Sequence, residues 1–194
     1  MPFRNLKYYE RITSMSKVGR RYLVMSTFDS VLAVLGILLG SYFAGVSDAS
    51  LVVAIGVGAA VAIGISGLWS AFLVELAEQK REMKELERAL HRDLTHTDLK
   101  KAHDFAAIMI ALTNSISPLI ASLLVLLPFI MLSWNPVYSI NIAYYLSFAL
   151  AFIIFFVLGA FLAKVSKEDI ILTGLKMASA GIICILILYL LKLK

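Results

Sequence analysis

One acidic residue lies inside an apolar stretch, where a charged side chain is costly. Asp29 falls within RRYLVMSTFDSVLAVLGILLGSYFAG, residues 20–45, which is long enough to cross a bilayer as a helix. A carboxylate at membrane depth costs about 2.5 kcal/mol or more, so it indicates a functional site on an ion or proton pathway. Asp29 is therefore the first candidate for binding a cation within the membrane.

Helical spacing places small residues on the same face as Asp29. Ala33, Gly36 and Gly40 follow it at i+4, i+7 and i+11. Small residues mark the sides on which membrane helices pack closely, so we expect Asp29 to point into the protein rather than at lipid. Met25, one turn earlier, offers a thioether to a soft metal, although a core or lipid-facing position is the commoner role of a methionine.

Four carboxylates repeat at helical spacing after the second apolar run. They are Glu75, Glu78, Glu82 and Glu85, at i, i+3, i+7 and i+10. Carboxylate oxygens suit hard or borderline divalent metals, so this stripe predicts a surface that gathers metal ions. Ion pairing with Arg81 and Arg88 is an equal alternative, in which the stripe is an ordinary solvated face.

Histidines and aspartates alternate in the segment HRDLTHTDLKKAHD, residues 91–104. His91, His96 and His103 are secondary metal candidates, although their spacing matches no standard site. Thr95 or Thr97 is a plausible N-cap for a short helix over 97–104. A mostly apolar stripe on the preceding helix predicts a packing partner, either this short helix or the same helix of a second subunit. The stripe consists of Gln79, Met83, Leu86, Leu90 and Leu94.

The third apolar run is the most polar one. Its hydroxyl and amide side chains surround Pro118: Thr113, Asn114, Ser115, Ser117 and Ser122. Proline removes one backbone hydrogen bond, and the freed carbonyl with neighbouring hydroxyls can line a passage. These side chains can equally join helices to one another. Asn114 is the candidate that we assign to a translocation path.

The pattern of apolar runs predicts an all-α polytopic membrane protein. The chain has 194 residues, of which 60% are hydrophobic. We expect transmembrane helices over 23–45, 51–74, 105–132, 140–163 and 170–191, because each run is long enough to span. The second continues into a cytoplasmic helix. We predict four segments in one membrane domain. They are an interfacial N-terminal segment (1–22), transmembrane helices 1 and 2 (23–74), a charged cytoplasmic segment (75–104) and transmembrane helices 3 to 5 (105–194).

Basic residues alternate between connections, which predicts the orientation. Lys and Arg are concentrated in 1–22 and 75–104 and are absent from 46–50 and 133–139. The N-terminus is then cytoplasmic and the C-terminus outside. This orientation explains the net charge of +5 better than nucleic-acid binding does. Five helices do not divide into two equal halves, so we expect a homodimer.

The sequence shows no catalytic set and no cysteine cluster. Its one cysteine, Cys184, excludes an internal disulfide, and no span holds a His–acid pair. G-x-S-x-G elbows and phosphate loops are also missing from the sequence. We therefore expect a protein that is not an enzyme and that has no cofactor.

Three segments resemble the vacuolar iron transporter family. They are FDSVLAVLGILLG in the first span, ISGLWSAFLVELAEQKREMKELERAL across the second, and GAFLAKVSKEDIILTGLKMASAGI near the end. The resemblance implies a dimeric carrier that moves Fe²⁺, and often Mn²⁺, out of the cytosol in exchange for protons. It implies that Asp29 lies on the path and that the glutamates gather metal. The second span departs from the family in lacking its methionine and Gly-Glu-Tyr motif.

Proton exchange has a physical basis in this interpretation. Burial disfavours a charged carboxylate and a bound cation favours it, so metal arriving at a protonated Asp29 would release a proton. The membrane would be the cell membrane, or alternatively a vacuolar-type membrane. Two other functions are a carrier for another cation and a non-transporting scaffold that presents the 75–104 helices to a cytoplasmic partner.

Overall fold

The structure is a computed structural model that describes residues 9–10, 13–91, 97–135 and 139–191. Five long helices make up most of these residues. We number them α1 (Met15–Phe43), α2 (Ala49–Leu90), α3 (Asp98–Trp134), α4 (Ile140–Ser166) and α5 (Ile170–Leu191). All five are long and apolar enough to cross a membrane. The predicted all-α, five-span fold class is therefore confirmed.

The residues fall into two compact units. Unit 1 comprises Met1–Leu23 and Gly64–Ile116, and unit 2 comprises Val24–Ile63 and Ser117–Lys194. Helices α1, α2 and α3 each contribute residues to both units. Unit 1 contains the charged half of α2 and the start of α3, whereas unit 2 contains Asp29.

Unit 2 is built on a core of branched and aromatic side chains. On α1 these are Val31, Val34, Leu35 and Leu38, all fully buried at i, i+3, i+4 and i+7. They pack in one cluster with residues of the other helices, including Leu126, Phe129, Tyr144 and Phe155. This side of α1 is therefore the one that the chain covers itself.

Glycines allow two close helix approaches within unit 2. A Cβ atom on Gly159 of α4 would lie 2.6 Å from the Cα atom of Gly174 on α5, so backbone meets backbone there. A Cβ atom on Gly56 of α2 would lie 2.6 Å from a methyl carbon of Leu126 on α3. Both contacts follow the rule that small residues mark helix interfaces in membranes.

Local sequence explains where the helices begin and end. Gly45, with a φ of 71°, ends α1, and the Val46 N–H donates to the Ser41 carbonyl oxygen at 3.0 Å. Asp48 caps α2 by accepting a 2.9 Å hydrogen bond from the Ser50 N–H. Asp169 caps α5 in the same way through the Ile171 N–H, at 2.9 Å.

The predicted separate short helix over 97–104 is wrong. Residues 98–134 form one continuous helix, in which the predicted short helix and third span are joined. The segment contains no glycine, and its first proline is Pro118, so nothing in the sequence interrupts the helix near residue 104. Thr97 directly precedes α3, at the predicted N-cap position, while Thr95 lies outside the described residues.

Alanines form much of the buried surface of unit 1. On α2 Ala71 is buried, and on α3 the buried alanines are Ala102, Ala106, Ala107 and Ala111. Small side chains of this kind let helix backbones approach closely. Helix α1 begins at Met15, so the end of the predicted interfacial segment, 1–22, is already helical.

Candidate functional site

The structure places Asp29 on an exposed face of α1, which corrects the expected inward orientation. The chain buries the opposite side of α1, where Val31, Leu35 and Leu38 enter the core of unit 2. Branched apolar side chains gain more from burial than alanine and glycine do, because they remove more apolar surface from water or lipid. They therefore decide which side of α1 packs within the chain.

Met25 lies on the same exposed side as Asp29, one turn away. Its side chain is 58% exposed, and Ala33 and Gly40 are exposed further along the helix. A Cβ atom on Gly36 or Gly40 would meet nothing within 4 Å. We call Met25, Asp29, Ala33, Gly36 and Gly40 the Asp29 face.

Serines on the inner side of α1 join it to α3 within unit 2. The Ser30 hydroxyl donates to the Pro118 carbonyl oxygen at 3.2 Å and is hydrogen-bonded to the Ser122 hydroxyl. The hydroxyl oxygens of Ser26 and Ser117 are 3.4 Å apart. Ser117 and Ser122 could either line a passage or join helices. Their contacts with α1 are those of residues that join helices.

Asn114 is buried in unit 1 and contacts α2. Its side-chain nitrogen donates a hydrogen bond to the Gly67 carbonyl oxygen at 2.8 Å. The Asn114 carbonyl oxygen has no helical N–H partner four residues on, because that residue is Pro118. Nearby, the Thr113 hydroxyl donates to the Met109 carbonyl oxygen at 2.9 Å within the same helix.

Glu75 differs from the other three carboxylates of the stripe. It is half-buried just beyond the predicted second span, where the Tyr22 hydroxyl donates a hydrogen bond to it. Burial raises the pKa of Glu75 above its ordinary value, while the Tyr22 hydrogen bond and the Arg21 charge offset part of that rise. Burial and the Glu75 charge also raise the pKa of Tyr22. Arg21 lies 5.8 Å from the centre of the Tyr22 ring.

The other three carboxylates are exposed, and each lies near an arginine or a histidine. Arg81 lies 3.7 Å from Glu78 and 3.2 Å from Glu85, measured from guanidinium nitrogen to carboxylate oxygen. A Glu82 carboxylate oxygen lies 4.0 Å from Nδ1 of His103 on α3. Part of the predicted ion pairing is therefore present, because Arg81 pairs with two carboxylates of the stripe.

The three candidate histidines have different surroundings. His103 is buried on α3, whereas His91 is exposed just after the end of α2 with a φ of 49°. His96 lies outside the described residues. Within the ranges that the structure describes, no three His, Cys, Asp or Glu side chains converge on one position suited to a metal ion.

The predicted apolar stripe is packed at Gln79 and Met83 and exposed at Leu86 and Leu90, while Leu94 lies outside the described residues. Gln79 and Met83 are 8% and 9% exposed, whereas Leu86 and Leu90 are 39% and 61% exposed. Gln79 and Met83 line a cavity of about 280 Å³ together with residues of α3, among them His103. The predicted packing partner is therefore the start of α3. The cavity itself was not predicted, because its lining comes from two segments that the sequence does not align.

Five helices that are long and apolar enough to cross a membrane define an all-α integral membrane protein. A sequence profile described as the VIT family matches residues 74–192. An uncharacterized protein of Methanocaldococcus jannaschii is 33% identical over 173 residues, covering 88% of this chain and 86% of the relative. No solved structure matches the chain. The chain belongs to the VIT family, the vacuolar iron transporter family, whose members carry metal ions across membranes.

Proposed function

We propose that this protein exports Fe²⁺, with Mn²⁺ as a second candidate cargo, from the cytosol as a homodimer, by exchange for protons. The observation that carries the proposal is Asp29, an acid that the chain leaves exposed within an apolar span. An ionisable side chain at this depth faces a partner or an aqueous path rather than lipid. Its presence there agrees with membership of a metal-transporting family.

A second copy of the chain is the proposed cover for the Asp29 face. Ala33, Gly36 and Gly40 carry little or no side chain, so another helix can approach α1 closely there. In a two-fold symmetric dimer the same face meets itself. Two Asp29 carboxylates and two Met25 thioethers would then be available to one ion. Such a mixed oxygen and sulfur set suits a borderline divalent cation.

The glutamate stripe is the proposed collecting surface on the cytoplasmic side. Glu78, Glu82 and Glu85 are exposed and can attract cations from solution. Glu75 is nearest to the membrane, and its raised pKa means that it keeps a proton at a higher pH than an ordinary glutamate does. Metal binding at Glu75 would therefore release a proton over a wider pH range. His91, His96 and His103 remain secondary ligand candidates.

Asn114 joins the proposed path through its carbonyl oxygen, which Pro118 leaves without a helical partner. We further propose the predicted orientation, with a cytoplasmic N-terminus and an external C-terminus. The protein would lie in the cell membrane or, alternatively, in a vacuolar-type membrane. Lipid, divalent metal ions and protons are the proposed partners, and nucleic acid is not.

Uptake of Fe²⁺ and Mn²⁺ into proteoliposomes under a proton gradient tests the proposal. We expect flux with the natural protein and its loss in Asp29→Asn, which keeps the shape of the side chain but removes its charge. Asp48→Asn is the matched control, because Asp48 is an exposed loop residue whose capping role asparagine can retain.

Equal flux in Asp29→Asn and Asp48→Asn would show that Asp29 does not lie on the path. No flux of either metal in a folded, oriented sample would leave the scaffold or another cation as the function. The scaffold is then tested by whether Asp29→Asn keeps its assembly and its cytoplasmic partner.

A further inference from the structure

The cavity of about 280 Å³ in unit 1 has a basic rim and two buried polar groups in its wall. Lys80 and Lys84 line it from α2, and Lys100 lines it from the first turn of α3. Within the described ranges none of these three lysines forms an ion pair or a hydrogen bond. Their positive charges are therefore available to a ligand.

Two buried polar side chains complete the cavity wall. Gln79 is 8% exposed and His103 is 7% exposed, and both line the cavity. The Gln79 side-chain oxygen is buried and meets no hydrogen-bond donor among the described residues. This oxygen has almost no accessible surface, so a ligand reaches it only when the Gln79 amide turns toward the cavity. A buried polar atom without a partner costs stability, so a turn that lets a ligand donate a hydrogen bond to it gains affinity.

Carboxylates also face this cavity and limit which ligands fit. Glu87 on α2 and Asp104 on α3 belong to the lining, and Glu82 lies against His103 from the neighbouring face of α2. Three lysines against two lining carboxylates leave the wall positive. This balance favours an anion of modest charge over a metal cation.

We propose that the cavity binds a small phosphate-bearing ligand that also carries a hydroxyl group. The phosphate would be held by Lys80, Lys84 and Lys100, since lysine is a common phosphate ligand. The hydroxyl group would donate a hydrogen bond to the Gln79 side-chain oxygen once the Gln79 amide has turned toward the cavity. The apolar part of the lining, Leu76 and Met83, would contact the carbon atoms of the ligand.

Two sources can supply this chemistry: a glycerol-type lipid headgroup or a free phosphate ester. Leu76 lies two residues beyond the predicted second span, so the cavity begins close to the membrane surface. The inference does not depend on the metal-transport proposal, because its contacts through the three lysines and Gln79 use no residue assigned to metal. His103, a secondary metal candidate, is part of the wall but takes no part in these contacts.

Calorimetry on the full chain in lipid-free detergent tests the soluble source, with glycerol 1-phosphate and methyl phosphate as probes. We expect Lys84→Gln combined with Lys100→Gln to weaken glycerol 1-phosphate binding by about tenfold or more, because charge-assisted hydrogen bonds are lost. Lys101→Gln is the matched control. Lys101 is adjacent to Lys100 but pairs with Asp98 at 3.1 Å and does not line the cavity.

Gln79→Leu tests the hydroxyl contact separately. It should weaken binding of glycerol 1-phosphate and leave binding of methyl phosphate unchanged, because only the first probe carries a hydroxyl group. Lys80→Gln, at an exposed position, is a second charge variant if the double variant does not fold.

Nanodiscs distinguish the lipid source. Native mass spectrometry would compare retention of phosphatidylglycerol and phosphatidylcholine by the natural protein and by the double lysine variant. Binding of glycerol 1-phosphate in lipid-free detergent supports a soluble ligand, and lysine-dependent retention of phosphatidylglycerol alone supports a headgroup. If neither probe depends on Lys80, Lys84 or Lys100, the site does not exist.

Discussion

The side-chain nitrogen of Asn114 donates a 2.8 Å hydrogen bond to the carbonyl oxygen of Gly67, which joins α3 to α2 within unit 1. The two helices come so close here that a Cβ atom on Gly67 would lie 2.8 Å from the Asn114 carbonyl oxygen. The contact requires glycine on one helix and a side chain that can donate a hydrogen bond on the other.

Gly67→Ala should therefore destabilise the protein. The added methyl group meets a backbone oxygen that cannot move without moving α3, and strain of this kind costs about 1–3 kcal/mol. Thermal unfolding in detergent would show a lower Tm. Gly58→Ala on the same helix is the control, because its Cβ atom would meet nothing within 4 Å. An equal Tm for both variants would mean that α2 and α3 separate easily at Gly67.

The close approach of Gly159 on α4 to Gly174 on α5 leads to a similar prediction for unit 2. Gly159→Ala should lower the Tm, because its Cβ atom would lie 2.6 Å from both the Gly174 Cα atom and the Thr173 carbonyl oxygen. Ser147→Ala, on the same helix, should leave the Tm unchanged or raise it. The Ser147 hydroxyl is buried and has no hydrogen-bond partner within the described part of the chain. A stable Gly159→Ala variant would contradict the close approach.

Leucine at Gly36 tests the proposed dimer. A Cβ atom at Gly36 would meet nothing within 4 Å, so the fold should remain while a close approach by a second α1 is blocked. Light scattering in detergent should show a shift from dimer to monomer. Ala149→Leu, at an exposed small residue of α4, should remain dimeric. A dimeric Gly36→Leu variant would show that the Asp29 face is not the interface.

Glu75 should make stability depend on pH. Its pKa is raised above 4.5, chiefly by burial, so the folded state binds this proton more tightly than the unfolded state. The resulting stability is fully present below about pH 4.5 and is lost as the pH rises through the raised pKa. Glu75→Gln, which stays neutral, should be more stable than the natural protein above that window and similar below it.

Thermal unfolding between pH 4 and pH 8 measures this difference. Glu85→Gln is the control, because Glu85 is exposed and loses only a surface ion pair with Arg81, which solvent screens. Tyr22→Phe should shift the stability loss to higher pH, because the Glu75 carboxylate loses a hydrogen-bond donor. A Glu75→Gln curve parallel to that of the natural protein would contradict the raised pKa.

Part of the candidate site was predictable from spacing alone. Met25 and Asp29 are four residues apart, so any helix places them on one side, and the structure does so. The direction in which that side points was predicted wrongly. Small residues indicate a close helix contact but do not say whether the contacting helix belongs to the same chain.

The sequence by itself determined the five apolar helices, because a chain in lipid must satisfy its backbone hydrogen bonds within each span. It also determined the family, through the three segments that resemble the vacuolar iron transporters. Only the tertiary structure decided that α1 turns Val31 and Leu35 inward and Asp29 outward, and that Gln79 and His103 line one cavity. These choices depend on which side chains fill shared space between helices, and residue spacing along one helix does not contain that information.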